Sequence, residues 1–119
     1  MQRLIEQPAD DGDVLEGRTR LGRVHYHLSV YQHFSEAEHE AVPAFLEVEG
    51  HITPLDDLDL AAFHRRRAEL TLNVADGRVL EFLIANGEGA IRSTGRGLYR
   101  RSIAAARPRV LAGILRLHF

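Results

Sequence analysis

The chain has no cysteine, no lysine, no acidic residue after Glu88 and no apolar run near the roughly 20 residues of a membrane helix. Without cysteine there is no disulfide, thiol nucleophile or thiolate metal ligand within these 119 residues. Without a long apolar run no membrane-spanning helix is expected. The opening residues, MQRLIEQPADDGD, hold no basic stretch followed by an apolar one, so no secretory signal is read and a cytoplasmic location is expected. All 15 cationic residues are arginine. Codon composition is the plainer reason; selection for bidentate anion recognition, which arginine performs better than lysine, is the functional one.

The missing acids leave an asymmetry that the net charge of −2 hides. Residues 1–88 carry 8 Arg against all 17 acids, a balance of −9, whereas residues 89–119 carry 7 Arg and none, a balance of +7. The chain reads as an acidic body with a basic C-terminal third.

A length of 119 residues with 45% hydrophobic and 27% charged side chains suits one globular domain with its own core. Residues 1–12, polar with Pro8 and Gly12, are expected to be a flexible leader, and residues 13–119 the single domain. From Val14 the pattern is extended. In VHYHLSVYQHF (24–34), Val24, Tyr26, Leu28, Val30 and Phe34 share one parity, while His25, His27, Ser29, Tyr31 and His33 share the other, as in a half-buried strand. SEAEHEAVP (35–43) interrupts with capping-box spacing from Ser35 to Glu38, which predicts a helical turn. AFLEVEGHI (44–52) alternates again.

TPLDDLDLAAFHRRR changes period and predicts a short helix near 56–66, with Asp56 or Asp57 as N-cap and Arg65–Arg67 at its C-terminal end. AELTLNVADGRVLEFLI (68–84) is a hairpin whose register can be decided. A two-residue Asp76–Gly77 turn would set Glu81 opposite Leu72 and force a carboxylate onto the apolar face, at a cost of several kcal/mol. A three-residue loop, Ala75–Asp76–Gly77, pairs Leu72 with Leu80 and Leu70 with Phe82, with Gly77 in the left-handed position. Val79 and Leu83, apolar on the opposite face, predict cover on both sides of the second strand. ANGEGAIRSTGRG (85–97) reads as a short strand near 90–94 between glycine-rich loops. Helical spacing from Leu98 onward predicts a C-terminal helical segment interrupted at Pro108, although residues 109–119 also alternate as a strand would. The fold class is therefore α+β, mainly antiparallel β: a curved sheet or small barrel of five to seven strands with one short helix and that C-terminal segment.

Three surfaces invite chemistry. His25 and His27 stand about 6.7 Å apart on one strand face, a workable spacing for two imidazoles on a metal. The pair resembles the His-x-His of cupins, but no acid follows between Ser29 and His33. His33, about 20 Å beyond His27 along an extended strand, cannot share that ion. If strands 24–34 and 44–52 form a hairpin, position 29 faces 49 and 27 faces 51. That makes His25, His27 and His51 the candidate ligands for a divalent transition metal, the one cofactor the sequence suggests. An ordinary solvated sheet face is the competing reading. Arg92, Arg96, Arg100 and Arg101, among glycines, are candidates for binding anions or nucleic acid. Neither a Walker A loop nor a dinucleotide fingerprint is present, and a pI of about 6.4 favours pairing of this segment with the chain's own acids, or a second copy's, over nucleic acid. The acids of the middle region lack calcium-loop spacing and read as a solvated face.

No catalytic set emerges. The sequence points to a non-catalytic binding or assembly module, self-associating through its charge asymmetry. A His-based metal-binding barrel or metal-dependent enzyme is the first alternative, and nucleic-acid or phosphate-ligand binding the second.

Overall fold

The structure, a computed structural model, describes residues 1–37 and 40–100. Seven strands and one helix occur among them: β1 (Gln2–Glu6), β2 (Ala9–Glu16), β3 (Thr19–Ala37), β4 (Glu40–Pro54), α1 (Leu60–Arg65), β5 (Leu70–Asn73), β6 (Val79–Ile84) and β7 (Ala90–Tyr99). Every strand pairing is antiparallel. The expected mostly antiparallel sheet with one short helix is found. The expected C-terminal helical segment lies outside the described residues.

The pairings run β3–β2–β5–β6–β7–β4 and return to β3. Two seams in this ring hold three residue pairs each: Asp13–Leu15 of β2 against Thr71–Asn73 of β5, and Glu49–His51 of β4 against Ala90–Arg92 of β7. Such short seams leave a ring of pairings without making a clear barrel. Glycine permits the close approach at both. A Cβ on Gly12 would lie 2.2 Å from the Asn73 carbonyl oxygen, and one on Gly89, just before β7, 2.3 Å from that of Ile52 on β4.

The alternation in β3 is realised. Val24, Tyr26, Leu28 and Val30 are buried, while His25 and His27 are exposed and Ser29 is half-buried. The inward side chains meet Val48 and Ile52 of β4, Leu70 and Leu72 of β5, and Leu80, Phe82 and Ile84 of β6 in one apolar cluster. Full burial of a side chain of this size contributes about 1.5–3 kcal/mol. Tyr26 is fully buried, and its hydroxyl accepts a hydrogen bond from the Ala75 amide at 2.9 Å, which ties β3 to the β5–β6 turn. Burial pushes this phenol above its ordinary pKa.

The β5–β6 hairpin has the register that carboxylate burial demanded. Leu72 faces Leu80, Leu70 faces Phe82, and Gly77 has φ +95°. Val79 is buried and Leu83 half-buried on the other face. β7 differs from its expected short form. Between the Leu80–Leu98 and Phe82–Ser93 pairs β6 advances two residues and β7 five. The glycine-rich stretch is thus a wide bulge inside one strand, with Gly97 at φ +77°.

Helix α1 is capped by Asp59, not by Asp56 or Asp57; its carboxylate accepts from the Ala62 amide at 3.0 Å. Asp56 instead accepts from the Arg23 amide at 2.8 Å. The helix ends in a Schellman motif: Ala68 N–H donates to the Phe63 carbonyl and Arg67 N–H to that of His64. The left-handed residue there is Arg67, at φ +52°. Glycine is the usual occupant, and a side chain in this conformation costs about 1 kcal/mol.

Residues 1–12, expected as a flexible leader, hold β1 and the first part of β2. Both are bonded along β3, with Leu4 opposite Tyr31 and Ala9 opposite His27. Residues 35–37 and 40–43, where a helical turn was expected, continue the β3–β4 pairing through Ser35–Val42 and Glu36–Ala41.

Candidate functional site

The outward residues of β3 and β4 define an exposed face whose rows follow from the register. Ser29 faces Glu49, which faces Arg92, which faces Leu83. In the adjoining row His27 faces His51, and His51 faces Ala90. The predicted opposition of His27 and His51 is therefore present. The rings of the other expected ligand pair turn apart. His25 Nδ1 lies 2.9 Å from Asp11 Oδ1 on β2, on one side of this face. The His51 ring lies over Gly89 on the opposite side, where an added Cβ would be 3.1 Å from both Cε1 and Nε2. Among the described residues no three His, Asp or Glu side chains gather closely enough to hold a metal ion. His33, excluded from the metal set by spacing, binds Glu47 at 2.6 Å and stacks on Phe45 with ring centroids 4.3 Å apart.

The expected arginine cluster is spread along β7. Arg92 is exposed at its start. Arg96 lies within the strand. Arg100, just beyond its end, donates from Nη1 to the Asp76 carbonyl at 3.0 Å. Arg101 lies outside the described residues. Arginines earlier in the chain are held by the body's own acids. Arg66 forms a two-pronged pair with Glu16 at 2.7 and 2.8 Å, and Arg20 and Arg23 both reach Asp13. Arg78 bridges Glu6 of β1 and Asp76 of the β5–β6 turn, with Nη2 at 2.6 and 2.7 Å from their oxygens. Its hydrogen bonds hold both carboxyls below their ordinary pKa, and theirs raise that of the guanidinium.

A surface that sequence reading missed is the far end of the β3–β4 hairpin. Beyond Glu49, β4 pairs only with β3 on its way to Glu40, and β1 pairs only with the far half of β3. The result is a three-stranded wing with two edges unpaired by other strands among the described residues. On it stand Met1, Leu4, Ile5, Val42 and Phe45, five of the six exposed large hydrophobic side chains among the described residues; Phe45 is 58% exposed. Edges and apolar patches of this kind mark contact surfaces. Period-two alternation could not reveal the wing, because the missing element is the layer that would cover it.

Among the described residues no helix is long and apolar enough to cross a membrane. Comparison with protein-family models, curated proteins and solved structures returns no match. The class of molecule thus rests on the fold and surfaces themselves: a small, mostly antiparallel β domain with a wing that no other strand or helix covers among the described residues.

Proposed function

We propose that this chain is a non-catalytic binding or assembly module, with the β1–β3–β4 wing as its contact surface and a second copy as its partner. The observation that carries this reading is the concentration of exposed apolar side chains on a sheet extension with unpaired edges. The charge asymmetry supports a second copy, since an acidic body offers a complement to the basic stretch of another chain. Sedimentation over a range of protein concentration and salt tests both forces. An apolar wing contact gives association that Phe45→Glu abolishes and that salt does not weaken. A charge-driven contact weakens as salt screens it. A monomer at every concentration and ionic strength would overturn the reading.

A second reading is supported by the opposed His27 and His51: an exposed cross-strand pair that takes a divalent transition metal after rotation of the His51 ring, with His25 released from Asp11 as a third ligand. Opposed residues on paired strands have Cβ atoms about 5 Å apart, within reach of a shared ion. Elemental analysis of untagged protein tests it. Stoichiometric metal that is lost in His27→Ala supports it, and its absence ends it.

A further inference from the structure

We propose that the cleft between the C-terminal end of α1 and β7 is a binding site for a phosphate monoester with an apolar body. Two adjoining hollows, of about 270 and 170 Å³, share Leu83 and Ile84 as their floor. Arg92 and Ser93 of β7 line the first, and His64 and Arg67 at the helix end line the second. Among the described residues no acid lines either hollow, although residues 1–88 carry all 17 acids of the chain.

Three features mark this place. Arg67 and Arg92 are exposed and, like Arg3, Arg18 and Arg65, make no ion pair among the described residues, so their guanidiniums are available to an anion, whereas those of Arg20, Arg23, Arg66 and Arg78 are held by acids. Glu49 stands opposite Arg92 on β4, yet the two form no such pair. Arg67 also occupies the left-handed position of the Schellman motif, at φ +52°. Glycine would be easier there, and strain of this kind concentrates at functional sites. Finally, Leu83 is the cross-strand neighbour of Arg92 on the same face, so an apolar surface and a cation adjoin. Two guanidiniums and an imidazole suit a dianion, and guanidinium pairs with phosphate through two parallel hydrogen bonds. Leu83, half-buried on the outer face of β6, offers an apolar surface for the rest of the ligand. The volume suits a single ring rather than a drug-sized molecule.

The probe is phenyl phosphate, titrated into the full chain at low salt and followed by amide chemical shifts, with inorganic phosphate and benzoate as comparisons. The expected result is a set of shifts confined to residues near 64–67, 83–85 and 92–93, with phenyl phosphate binding several-fold more tightly than either comparison. Arg92→Gln is expected to weaken binding about tenfold, the loss of one charged hydrogen-bonding group. Arg67→Gly is the sharper variant. It relieves the backbone, so the thermal midpoint rises while binding falls by a similar factor. Arg18→Gln, on the exposed β2–β3 turn, leaves binding unchanged. The proposal is overturned if Arg67→Gly binds as the parent does, if Arg18→Gln weakens binding equally, or if inorganic phosphate or benzoate binds as tightly as phenyl phosphate.

Discussion

The two halves of β3 make the same alternating pattern and meet different fates. In residues 24–30 the even positions point into a closed cluster of side chains from six other elements, and they are buried to within 1% of full. Beyond Val30 the same strand continues between β1 and β4, and Phe34, of the same parity, is only half-buried. Alternation specifies that a strand has two kinds of face. Whether the apolar face is covered depends on elements far away in the chain. Only β5, β6, β7 and α1 supply that cover, and among the described residues none of them pairs with the wing.

This contrast can be broken most severely from the body side. Phe82→Ala, at the centre of the cluster, is expected to cost about 3–5 kcal/mol in denaturant unfolding, through lost burial and the cavity left behind. Phe45→Ala on the wing is expected to cost under about 1 kcal/mol, the scale of its stacking on His33. Comparable losses at both sites would mean that the wing is covered and the two regions are alike. Next in size is Gly12→Ala. Its Cβ would enter the space of the Asn73 carbonyl, so the three-pair β2–β5 seam must open, at about 1–3 kcal/mol, with faster amide exchange at Asp13–Leu15 as the local readout.

A smaller effect tests how the wing is attached to the body. Arg78 joins Glu6 on β1 to the β5–β6 turn, and Arg78→Met is expected to cost on the order of 1 kcal/mol, because both carboxylates are partly in solvent. Its pH dependence has a definite sign. Glu6 and Asp76 are held below their ordinary values of 4.5 and 3.8. Their contribution is complete above those values and is lost as pH falls through the lowered ones. An acid titration of stability should therefore separate the parent from Arg78→Met at neutral pH and bring the two together at low pH. A constant gap would show that the guanidinium acts through packing alone. The smallest effect on the monomer is that of Phe45→Glu, within about 0.5 kcal/mol of the parent. Its consequence is expected in sedimentation instead, where it should abolish self-association. Were it to unfold the protein, the wing would belong to the core.

Much of the candidate surface was legible. The opposition of His27 and His51 followed from the register of two alternating segments, and the β5–β6 turn followed from the cost of burying Glu81. The direction of the rings was not legible: His25 turns to Asp11 of β2, and His51 lies over Gly89 in the turn before β7, and both neighbours come from distant segments of the chain. Arg67 and His64 went unread beside Arg92 because 25 or more residues separate them in the chain, and only the packing of α1 beside β6 sets the hollow they line next to the one lined by Arg92, with Leu83 and Ile84 common to both. The helix cap was misplaced by two or three residues, because Asp56, Asp57 and Asp59 offer the same carboxylate and Asp56 is taken by the Arg23 amide.

By itself the sequence determined the strand faces, the hairpin registers, the short helix and the charge asymmetry, because each is a local consequence of side-chain period, turn chemistry or composition. The tertiary structure alone decided that residues 2–6 form a strand, that the glycine-rich stretch is a bulge in β7, and that among the described residues the outer reach of β3 and β4 pairs with β1 alone. Those outcomes depend on pairing between distant segments, and a strand's hydrogen-bonding edge carries no mark in its own sequence of which partner will take it.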